Sequence, residues 1–88
     1  MTRPRVLLAD DHRIVLAGLE ALLRDDYELV GRAPDGRSLL KMARSTAADF
    51  IVADFSMPGL NGLDALHAMR RAGLDVPVIF LTMHTELA

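Results

Sequence analysis

At 88 residues the chain holds one small domain at most, and a domain of that size buries only a little over ~60% of the surface its unfolded chain exposes. A content of 51% hydrophobic and 25% charged residues excludes a disordered or fibrous chain, and a net charge of -2 supplies no basic field to draw it to DNA, RNA or anionic lipid. The absence of cysteine excludes disulfides and thiolate metal sites, and no run approaches the ~18 apolar residues of a membrane span, so a soluble, cytoplasmic protein is expected.

The first element in chain order is the apolar run Val6–Ala9, which leads straight into two adjacent carboxylates, Asp10 and Asp11. The "MTRPRVLLADD" that contains it turns acidic too soon for a signal peptide. Val15, Leu19, Leu22 and Leu23 follow at helical spacing. A weaker strand, "YELVGRA" from Tyr27, separates this helix from a second, in which Leu39, Leu40 and Ala43 recur at three and four. The run Phe50–Ala53 predicts a third strand, closed by Asp54. Pro58, Gly59, Asn61 and Gly62 then make a compact loop, from which Asn61 N-caps a third helix with Asp64 near its positive end. Leu63, Leu66, Met69 and Ala72 are its expected inner face, Gly73 its C-terminal glycine, and Val78–Leu81 a fourth strand. The order βαβαβαβ calls for right-handed crossovers and one parallel sheet with helices on both sides. The last residues, "MHTELA", read as the start of a fourth helix.

Ligands of open parallel α/β sheets bind beyond the carboxyl ends of the strands, where the strand order reverses. In the flavodoxin-like order the first and third strands are neighbours at that point, which brings Asp10, Asp11 and Asp54 to one pocket. Three clustered anions repel one another, and a hard divalent cation such as Mg²⁺, which takes oxygen ligands, relieves the repulsion.

These residues resemble the receiver domains of bacterial two-component response regulators. The likeness rests on the paired acids Asp10 and Asp11, the strand-ending Asp54, the "MPGLNG" loop with Pro58 and Gly62, and the hydroxyl of Thr82 after the fourth strand. The stretch "LLADDHRIVLAGLEALL" is also similar to the LuxR/NarL-type subfamily, whose receivers precede a helix-turn-helix DNA-binding domain. The resemblance implies a flavodoxin-like parallel sheet in strand order 2-1-3-4, with residues 1–88 forming a truncated receiver and no effector domain; the family's fifth strand, with its lysine, and its last helices would lie past Ala88. It makes Asp54 the phosphoacceptor, served by a partner histidine kinase, and has Asp11, Asp54 and the backbone carbonyl of Ser56 ligate Mg²⁺ while Asp10 acts largely through a bound water. Thr82 would bond a phosphoryl oxygen and convert phosphate arrival into a loop movement. The expected product is a signalling module that controls transcription in its parent, and not an enzyme of small-molecule turnover. With the fifth strand missing, the fourth becomes an edge and the first helix loses cover, so a homo-oligomer through Val78–Met83 and the first-helix face is expected.

Each residue also has a plainer reading. Asp10 and Asp11 fit a helix N-terminal pair satisfying free amides, Asp54 a loop acid, and Thr82 a β-branched strand residue. His12, His67 and His84 show no ligand spacing and read as exposed, His12 lying beside the pocket; Met57, Met69 and Met83 read as loop or core fillers. Two rival functions share the pattern. A Mg²⁺-dependent phosphatase with an aspartyl nucleophile would need a second acid close after Asp54, where Ser56 stands. A receiver-like binding or assembly module that has lost its switch would not need the missing lysine.

Overall fold

The computed structural model describes residues 3–55, 57 and 60–81. The elements follow the expected order: β1 (Arg5–Ala9), α1 (Arg13–Leu23), β2 (Glu28–Ala33), α2 (Gly36–Ser45), β3 (Phe50–Asp54), α3 (Gly62–Arg71) and β4 (Val78–Leu81). All strands are parallel, in the order β2-β1-β3-β4. This is the flavodoxin-like arrangement, with β1 and β3 adjacent at the centre.

Alternation along the strands splits the core between the two faces of the sheet. Leu7, Ala9, Ile51 and Ala53 point to one side, where Leu39 and Ala43 of α2 and Ala65 and Met69 of α3 cover them. Val6, Leu8 and Val52 point to the other, against Leu16 of α1 with Leu19 and Leu23 beside it. Because strands β1 and β3 are covered on both faces, their side chains are apolar almost without interruption.

The helix ends obey local chemistry. Asn61 accepts the Asp64 amide at 2.9 Å to open α3, as the sequence predicts, and Asp35, for which the sequence reading gives no such role, accepts the Ser38 amide at 2.8 Å to open α2. Gly73 ends the third helical segment at φ +81°, a conformation that a side chain would strain. The expected inner faces need two corrections. In α1 the buried residue is Leu16, whereas Leu22 is 76% exposed. In α3 the buried residues are Gly62, Ala65 and Met69, while Leu63 and Ala72 lie in solvent. Close approach of α3 to the sheet selects small residues there, and a reading weighted by side-chain size turns the helix too far. Met57 is buried and joins the core, as a filler should.

Candidate functional site

The register sets the site. Ala9 of β1 pairs with Ala53 of β3, so the next residue on each strand, Asp10 and Asp54, comes level at the carboxyl end of the sheet. The Asp10 amide continues the β1–β2 ladder to the carbonyl of Ala33 at 3.0 Å, and the Phe55 amide continues β3–β4 to the carbonyl of Leu81 at 3.2 Å. Both acids are therefore held by backbone. On the far side the Gly62 amide donates to the carbonyl of Phe55 at 3.1 Å, and a Cβ on Gly62 would sit 2.7 Å from the Asp54 carbonyl oxygen. The N-terminus of α3 is drawn up against the end of β3 because residue 62 has no side chain.

Asp10, Asp11, His12 and Asp54 each offer a ligand atom, and these atoms all lie within 4.8 Å of one another. Asp10 and Asp54 are buried, Asp10 almost completely, and Asp11 and His12 form the open side. Burying carboxylates next to one another is unfavourable unless something compensates. His12 compensates in part. Its backbone amide donates to Asp10 Oδ1 at 2.8 Å, and its Nδ1 lies 2.9 Å from the same oxygen and 3.0 Å from Asp11 Oδ1. That hydrogen bond to Asp10, followed by the charge of Asp11, holds the imidazole's pKa above the ordinary histidine value.

Asp10 Oδ2 is buried and has no hydrogen-bond partner among the described residues. An acceptor-only oxygen in that state, inside a set of three carboxylates, fits a hard divalent cation, which prefers oxygen ligands and offsets the charge. The residues present thus suit Mg²⁺.

Of the predicted site residues, the structure brings together Asp10, Asp11 and Asp54. Ser56 and Thr82 lie outside the described residues; Thr82 directly follows Leu81, whose register partner on β3 is Asp54. His12 is exposed as read, but it belongs to the cluster. His67 is exposed on α3 and His84 lies outside the described residues.

Comparison with known proteins agrees with this geometry. Residues 6–88 match the response regulator receiver domain. The chain is 43% identical over 83 residues to the response regulator UvrY of Escherichia coli (strain K12), covering 92% of this chain and 38% of that protein. It thus spans about two fifths of that relative's length. Among solved structures, the signal receiver domain assigned as NarL from Mycobacterium tuberculosis superposes with a TM-score of 0.91 at 28% identity, over 98% of this chain and 71% of that one. A two-component response regulator of the LuxR family from Aurantimonas sp. SI85-9A1 does so with a TM-score of 0.87 at 31% identity, over 96% and 61%. A parallel sheet in this order, acids level at the ends of its two central strands and a match along nearly the whole sequence lead to one assignment: the chain belongs to the receiver domain family of two-component response regulators.

Proposed function

We propose that this chain is a phosphoacceptor: Asp54 takes a phosphoryl group from a histidine kinase, with Mg²⁺ held by Asp10, Asp11, Asp54 and the carbonyl of Ser56. The observation that carries the reading is the pair of buried acids, Asp10 and Asp54, level on adjacent strands beside the more exposed Asp11. Family membership supports it.

In the transfer, an Asp54 carboxylate oxygen attacks the phosphorus of the kinase phosphohistidine. A P–O bond forms and the P–N bond breaks. The electron pair stays on the imidazole, which takes a proton from solvent, and Asp54 becomes an acyl phosphate. Bound Mg²⁺ would supply positive charge to offset that of the transferring oxygens. The chain's own part is placement: the backbone ladders beside Asp10 and after Asp54 keep the nucleophile and its neighbouring acids from drifting. Thr82, one residue past the strand partner of Asp54, is the proposed donor to a phosphoryl oxygen and the link to a downstream movement.

The rest of the reading concerns the longer parent. It is a cytoplasmic signalling module, without small-molecule turnover or direct nucleic-acid contact of its own, and it controls transcription through a helix-turn-helix unit elsewhere in that protein. Among the described residues no helix is long and apolar enough to cross a membrane. Self-association through β4 and α1 is part of the proposal, supported by the exposure of Ile79, Ile14 and Leu22.

Labelling with acetyl phosphate tests the central step. Wild type with Mg²⁺ should form an alkali- and hydroxylamine-labile adduct of one phosphoryl group, absent from Asp54→Ala and from chelator-treated protein. Label that persists in Asp54→Ala removes Asp54 from the role, and no label under any condition favours the binding module without a switch.

A further inference from the structure

The phosphoacceptor reading leaves His12 without a task, yet its backbone amide meets Asp10 and its ring meets both Asp10 and Asp11. It stands at the N-cap of α1, where Ser, Thr, Asp or Asn would bond a free helix amide, and its side chain makes no such bond. Instead its backbone, extended at φ −104° and ψ 113°, lets the ring turn back over Asp10 and Asp11. A residue that departs from the local helix-start preference and spends its side chain on a buried acid points to function.

We propose that His12 is a positioning residue, whose Nδ1–H bridges Asp10 Oδ1 and Asp11 Oδ1 and leaves Asp10 Oδ2 for the divalent cation. The inference rests on the cation reading of the pocket. Both oxygens facing Nδ1 belong to carboxylates, which only accept, so Nδ1 must carry a hydrogen. A nitrogen that carries a hydrogen has no lone pair for a metal, so His12 orients the ligands and is not one through this atom. Asp10 Oδ1 receives two donors from this single residue, the backbone amide at 2.8 Å and the ring at 2.9 Å. That fixes the rotamer of Asp10, and the oxygen left over is the one with no partner. The same ring ties the exposed Asp11 to the buried Asp10, so two neighbouring ligands behave as one preorganised group.

Calorimetric titration with Mg²⁺ at a single pH tests the assignment in wild type, His12→Ala, His12→Asn and Asp11→Asn, with thermal midpoints in chelator measured alongside. Removing an outer partner of metal ligands costs about tenfold or more in affinity. His12→Ala should therefore bind Mg²⁺ about tenfold more weakly. His12→Asn, whose amide nitrogen can stand where Nδ1 stood, should recover most of that loss. A purely structural role would make affinity follow the thermal midpoints, whereas here affinity follows the donor. Unchanged or tighter binding by His12→Ala, as loss of a positive ring would cause, overturns the proposal, and so does an Asn variant as weak as the Ala variant. If wild type binds no Mg²⁺, or Asp11→Asn binds as wild type does, the cation reading itself fails and takes this one with it. Nitrogen-15 NMR of the wild-type imidazole needs no variant: a ring protonated at Nε2 alone sinks the idea.

Discussion

Asp10 and Asp54 are buried polar side chains among the described residues, and they sit with Asp11 in one cluster. Like charges at such spacing oppose folding, so the pocket holds its ligands in place at a cost in stability. Asp54→Asn should raise the thermal midpoint in chelator by a few degrees, since 1 kcal/mol moves a domain of this size by about 4–8 °C. On the proposed Mg²⁺ site, millimolar Mg²⁺ should raise the midpoint of wild type, and the same variant should lose most of that shift. Scanning calorimetry in the two buffers checks both halves, and a variant less stable than wild type in chelator contradicts the repulsion argument. These acids are legible in the sequence because each ends an apolar run, and a strand end is a position that periodicity locates well. The role of His12 is not legible in the same way. A single histidine has no spacing to read, and its partners become visible only when the chain has turned back at Asp11.

Helix α1 shows how an element can be recognised while its orientation is missed. Apolar residues surround it: Leu16, Leu19 and Leu23 face the sheet, yet Ile14 is 88% and Leu22 76% exposed. Two faces therefore satisfy the helical period, and only the sheet's position chooses between them. Leu16→Ala should cost about 2–3 kcal/mol, while Leu22→Ala should stay within about 0.5 kcal/mol of wild type, as denaturant unfolding will report. In α2 the capping side chain, Asp35, has a titration that can be measured. The Ser38 amide bonds to Asp35 and holds its carboxyl below the usual aspartate range. A carboxyl depressed in the folded state stabilises above its unfolded pKa, and that contribution fades as pH falls through the folded value. Between neutral and strongly acid pH, Asp35→Asn should therefore lose less thermal stability than wild type while keeping the cap. A parallel decline of the two proteins would assign the acid sensitivity elsewhere.

At the scale of the whole molecule the order β2-β1-β3-β4 leaves β2 and β4 each paired on one side among the described residues. Ile79 of β4 is 52% exposed, and β4 carries no charge along its four residues. Such an edge invites pairing. Light scattering across a dilution series should show association that Ile79→Lys weakens; an equally monomeric wild type and variant at every concentration would leave the edge without a partner. The topology itself was readable from the alternation of runs and spacings, because a parallel sheet with short loops leaves few other arrangements. The packing distances were not, since a glycine such as Gly36, where a Cβ would collide with the Leu60 carbonyl oxygen, declares its neighbour only in the folded state. The same strand order has a consequence in time. Amides of Leu8 and Val52 lie in strands bonded on both sides, whereas those of β2 and β4 lie at the margins. Native-state hydrogen exchange should find β1 and β3 opening only with the whole domain and the outer strands opening earlier. On that expectation Asp10 and Asp54 stand at the ends of the slowest-exchanging strands, and the pocket floor should persist through local openings that let the margins rearrange.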